Sequence, residues 1–160
     1  MKLTEPTKYT YHQLKENYET TVKEFCSRLW GWRKHIRIQA LEKAEFKKFD
    51  RKNTTDAFVS YLKEKHEVLG IEEDVHVIRL LDSGKGFHVE SLIHELLHVY
   101  RPQDSEKEVK QTEQWLFWGF QIWEKLYDSE PLREYFMELF RKDFLRPKEK
   151  EIWDDTDNQS

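Results

Sequence analysis

Between Leu92 and Val99 every position other than His94, Glu95 and His98 is Leu, Ile or Val. A helix that is apolar all round is a buried helix, so the fold must be assembled around this segment. Two imidazoles and a carboxylate enclosed in it need polar partners, because unpaired burial costs several kcal/mol. Local hydrogen bonds to two core histidines would be one answer. A metal ion is the other, and it accounts for all three side chains at once.

The spacing His94-Glu95-Leu96-Leu97-His98 suits a metal. Residues four apart on a helix lie about 40° apart, so both imidazoles can converge on one ion. Glu95 sits about 100° further round and can reach a water on that ion without binding the ion itself. Zinc lowers the pKa of such a water towards ~7, and the carboxylate can then take its proton. The expectation is a Zn2+ ion held by His94 and His98, with Glu95 as general base for hydrolysis of a peptide bond.

A catalytic zinc needs a third protein ligand and an open position. No histidine follows His98, which removes motifs whose third ligand is a later histidine. Glu106, Glu108 and Glu113 are the near carboxylates. In the helix expected from Ser105, an apolar stripe runs through Val109, Thr112, Leu116, Gly119, Phe120 and Trp123. At about 100° per residue, Glu108 lies roughly 60° from the stripe centre, Glu113 roughly 80° and Glu106 roughly 100°. Glu108 is therefore the expected ligand. A capping box, Ser105-Glu106-Lys107-Glu108, would use the same carboxylate on the backbone instead, and Glu106 stays open as the alternative ligand.

The rest of the chain bounds the answer. A length of 160 residues suits one domain, expected over 1–147, with a polar acidic tail at 148–160. Charged residues make up 36% and aromatics 14%, with six Trp, so the core must lean on large side chains. Net charge is −4 with both signs interleaved, which argues against nucleic acid as a partner. The single cysteine, Cys26, excludes a disulfide within the chain and a zinc site of several thiolates. No apolar run is long enough for a signal peptide core or a membrane span, which points to the cytoplasm.

Periodicity gives an amphipathic helix over 9–30, ended by Gly31, and a strand over His35–Ala40. Phe46 and Phe49 read as strand residues. A helix is expected from Asp56 to Leu69, ended by Gly70, in preference to a strand over Ala57–Tyr61. Val75–Leu81 reads as a strand and Phe87–Tyr100 as the buried helix. Further helices are expected from Ser105 to about Tyr127 and from Ser129 to about Leu145. Phe117 and Trp118 fall off the inward stripe, free to meet the N-terminal helix, a partner or a substrate.

The stretch Leu92–Trp115 resembles the gluzincin-type metallopeptidases, especially the minimal members called minigluzincins, and is similar to the ImmA/IrrE-like proteases. The resemblance spans residues 75–120: strand Val75–Leu81, ligands His94 and His98, base Glu95, and Glu108 before Val109 in place of the family's glutamate. It implies an α+β, zincin-like fold, with a small, mostly antiparallel sheet packed on the H-E-x-x-H helix and helices at both ends. A peptide or protein substrate would lie along the edge of Val75–Leu81, with no membrane involved. Many gluzincins place a later His or Tyr on the oxyanion. Here Tyr100, Arg101, Tyr127, Arg133 and Tyr135 are the candidates. Two other readings share the motif: a zinc-stabilised regulatory or binding module with little turnover, and a narrowly specific regulatory protease of the ImmA/IrrE kind.

Overall fold

A computed structural model describes residues 18–31, 35–49, 57–65, 68–82 and 87–150. The described residues form an α+β arrangement in the order α1 (Tyr18–Trp30), β1 (Ile36–Glu42), α2 (Lys43–Phe49), β2 (Ala57–Lys65), β3 (Glu72–Asp82), α3 (Val89–Tyr100), α4 (Glu106–Lys125) and α5 (Glu130–Phe144). A last helical turn covers residues 147–150. None of these helices is long and apolar enough to cross a membrane.

The three strands form one sheet in the order β1-β3-β2. β1 runs parallel to β3, from Ile36 opposite His76 to Glu42 opposite Asp82. β2 runs antiparallel to it, from Ala57 opposite Leu80 to Lys65 opposite Glu72. The sheet is therefore mixed, not mostly antiparallel. The strand over Val75–Leu81 is central and paired on both sides, so it has no edge for a substrate. The outer strand is β2, where a helix over Asp56–Leu69 was expected. Ala57 and Val59 share a face with Leu80 and Ile78, and that pairing outweighs helix propensity. Gly70, at φ 68°, lies in the β2–β3 connection and ends no helix.

Phe46 and Phe49, expected in a strand, are one turn apart on α2. This short helix covers the sheet face opposite α3. Phe46 packs on Phe58 with ring centroids 5.4 Å apart, and Arg79 lies 4.0 Å over the Phe49 ring. On the other face, Ile36, Ala57, Ile78 and Leu80 join Leu92, Ile93, Leu96 and Leu97 of α3 in the core. α1, α4 and α5 close it with aromatics. Phe25 meets Phe120 at 5.7 Å, Trp123 at 5.5 Å and Phe140 at 6.1 Å. Phe117 is buried in this core, and Trp118 packs half-buried against Phe136 and Phe140. Residues 9–17 of the expected first helix lie outside the described residues; from Tyr18 the helix runs to Trp30, and Gly31 ends it at φ 80°.

The C-terminal turn belongs to the packed structure. Residues 148–150, assigned to the tail, hold Glu149 against the end of α3. Its carboxylate accepts from Arg101 Nε at 3.1 Å and Nη2 at 2.9 Å, and from the Trp30 indole. Burial alone would raise the Glu149 carboxyl, but the bonds from Arg101, Trp30 and the Arg146 backbone hold it below its ordinary value. A depressed folded pKa contributes stability above the unfolded pKa, which is lost as pH falls through the folded one. Glu149→Gln is expected to cost about 2 kcal/mol at pH 7. Thermal melts from pH 7 to pH 3 should show the gap to wild type closing only below about pH 4.3; a constant gap would contradict this ion pair.

Candidate functional site

α3 carries its polar side chains on one stripe and its apolar ones around the remainder. Leu92, Ile93, Leu96 and Leu97 are fully enclosed, whereas His94 and His98 are half-buried and Glu95 is 9% exposed. The polar stripe opens into a cleft of about 790 Å³ between α3, α4 and the outer strand. Ala57, Phe58 and Val59 of β2 form one wall, and Glu106, Lys110 and Glu113 of α4 form another.

Within the cleft His94 Nε2 and His98 Nε2 are 3.2 Å apart. Glu106 spans both, with one carboxylate oxygen 3.1 Å from His94 Nε2 and the other 2.5 Å from His98 Nε2. One ligand atom from each of the three residues lies within 4.8 Å of the others. Two imidazole nitrogens and one carboxylate oxygen are a donor set that suits a divalent ion such as zinc with a position left open. Glu113 adds the orienting contact. His94 Nδ1–H donates to it at 2.5 Å, which turns Nε2 towards His98 and Glu106.

The charges respond to this crowding. The hydrogen bond to Glu113 is the main cause that raises the His94 pKa, aided by Glu113, Glu95 and Glu106 charge against a desolvation that lowers it. Desolvation would raise the Glu106 carboxyl, but the two imidazoles together bring it below its ordinary value.

The structure brings His94, Glu95 and His98 to the cleft and sets Glu108 elsewhere. Glu108 is exposed and completes a capping box, accepting from Ser105 N at 3.1 Å while its own N–H donates to Ser105 Oγ at 3.2 Å. Glu106 is the carboxylate that stands with the imidazoles. The two glutamates are about 200° apart on α4, on opposite flanks of its buried stripe. Angular distance from that stripe does not tell one flank from the other.

None of the expected oxyanion donors lines the cleft. Tyr100 is buried in a stack on Trp30 with centroids 4.5 Å apart. Arg101 is held by Glu149, and Arg133 lies 3.9 Å over the Trp123 ring and donates to the Trp123 carbonyl. Tyr127 and Tyr135 are exposed outside the cleft. Sequence reasoning had set aside Glu113 as a ligand without giving it another role. Its signal was the seven-residue step from Glu106, which returns to the same helix face.

No family model matches this sequence, and comparison with curated proteins and with solved structures found no match.

Two outcomes follow from this geometry. Glu106→Ala should abolish zinc uptake, whereas Glu108→Ala should keep it and lose about 1 kcal/mol of stability with the cap. Metal analysis beside thermal melts separates the two, and retained zinc in the Glu106 variant would contradict the grouping. Zinc must also displace the His94 proton, which the raised pKa retains to higher pH. Zinc affinity should therefore begin to fall above pH 6.5 on acidification. Glu113→Gln should weaken affinity ~10- to 100-fold at pH 8 and shift that fall to lower pH, read by competitive chelator titration.

Proposed function

We propose that this protein is a zinc-dependent metallopeptidase with a zincin-like, gluzincin-type site. The observation that carries the reading is the convergence of His94 Nε2, His98 Nε2 and a Glu106 oxygen within 4.8 Å at one wall of an open cleft, beside the buried Glu95. The ligand set is His94, His98 and Glu106, in place of Glu108. Zinc bound there supplies Lewis acidity to a scissile carbonyl and to the attacking water.

The chain's own residues do the remainder. Glu113 fixes the His94 ring through Nδ1. Glu95 accepts a proton from the water as its oxygen bonds to the carbonyl carbon. It then returns that proton to the leaving nitrogen as the C–N bond breaks. Among the described residues β2 is the outer strand of the sheet beside the cleft, and an extended peptide or protein segment docks along it through main-chain hydrogen bonds. The single thiol, Cys26, is buried, and that burial raises its pKa and keeps it out of the chemistry.

A zinc-stabilised binding module with little turnover is the second reading, favoured by the absence of the expected Tyr and Arg donors from the cleft wall. Glu95→Gln separates the two. With zinc content equal to wild type, the variant should lose at least 10²-fold in the rate of cleavage of a quenched peptide library. Equal cleavage by both proteins would remove Glu95 from the base role, and no cleavage by zinc-loaded wild type would favour the binding module.

A further inference from the structure

On α4, Glu106, Lys110 and Glu113 follow one another at steps of four and three and so share a face. On an ordinary helix the lysine would pair with one or both of these glutamates. Here both are engaged. The Glu106 oxygens face His94 and His98, and Glu113 accepts from His94. Among the described residues Lys110 has no ion pair. Among the described residues it is also the only Lys or Arg lining the cleft, whose other described acidic residues are Glu90, Glu95, Glu106 and Glu113. The site has taken the acceptors its own cation would use, and it leaves Lys110 as an exposed lysine on the cleft wall.

We propose that Lys110 forms a carboxylate-binding subsite, making the preferred substrates peptides with an anionic group close to the scissile bond. The inference rests on the metallopeptidase reading above. Lys110 is one helical turn from Glu106, a rise of about 6 Å. An extended peptide advances about 3.3 Å per residue, so the anion lies about two residues from the carbonyl under attack. Either the C-terminal carboxylate of a short peptide or an Asp or Glu side chain supplies that chemistry. A strongly hydrated ammonium on a flexible stem suits a single carboxylate reached across an open cleft.

The test uses the full zinc-loaded chain and needs no turnover. Four succinyl hydroxamate probes share a metal-binding end and differ at the single residue that follows the succinyl unit: Ala as the free acid or the amide, and Glu-amide or Gln-amide. Calorimetry at low ionic strength gives the affinity ratio within each pair. A tenfold or greater preference for the charged member is expected in one pair, which identifies the terminus or the side chain as the source. Lys110→Met should bring that ratio below two, Lys110→Glu should invert it, and Lys107→Met, outside the cleft, should leave it intact. Ratios near one in the zinc-loaded wild type, or a preference that survives in Lys110→Met, would overturn the subsite and leave the metal site standing. A chain that takes up no zinc, or a zinc-loaded chain that binds none of the probes, would overturn the metallopeptidase reading and the subsite together.

Discussion

The burial of α3 is the constraint on which the remainder of the structure depends. Its Leu, Ile and Val positions leave no solvated face, so other elements must cover it on nearly every side. The sheet supplies one cover through Ile78, Leu80 and Ala57, and α1 and α4 supply others. His94, Glu95 and His98 occupy the one stripe that cannot be covered by apolar groups without stranding their polar atoms. That stripe becomes the cleft floor. The cleft is thus where the packing of α3 stops, and the site chemistry and the boundary of the core have one cause.

Elements whose own residues carry a strong period were legible in the sequence. α3, α4 and α5 begin and end within two residues of expectation, and Ser105 and Ser129 cap as their types demand. The strand alternation of Val75–Leu81 was legible for the same reason. β2 and α2 were not. Ala57–Lys65 has mixed propensity, and its state is decided by nine residues of pairing with β3, a partner that a local window does not contain. Phe46 and Phe49 are three apart, which is helical, but the surface they cover is the Phe58 ring and the Arg79 guanidinium on the sheet. β1 passes from Glu42 straight into α2 at Lys43, so no loop residue marks the change of state. The placement of β2 makes Ala57–Lys65 the outer strand beside the cleft and Val75–Leu81 the central one.

The third carboxylate shows where periodicity ends. A helix wheel gives each residue an angle from the buried stripe, and a side chain that serves a cleft belongs at the stripe's margin. Every stripe has two margins. Glu106, Lys110 and Glu113 lie on the one facing α3, while Glu108 lies on the other, where the backbone of Ser105 uses it. Choosing between them requires the hand of the α3–α4 connection. That connection is a tertiary fact, set by how residues 101–105 turn.

The turn itself is held from outside. Its first residue, Arg101, is buried and bound to Glu149 and to the Phe144 carbonyl, with its guanidinium 4.5 Å from the Phe144 ring. Near its other end, Asp104 accepts two bonds from Arg146 at 2.7 and 2.8 Å, and the Asp104 side chain is only 4% exposed. Two planar, paired contacts fix both orientation and distance, which a single point charge would not. Glu106 follows Asp104 by two residues, so the same contacts hold the start of α4 against α3. The imidazoles are placed by their own helix, within one rigid turn. The carboxylate that joins them depends on a loop, and the loop depends on residues more than forty positions later in the chain. Short-range pattern can therefore announce the H-E-x-x-H half of the site, whereas its completion depends on the packed whole.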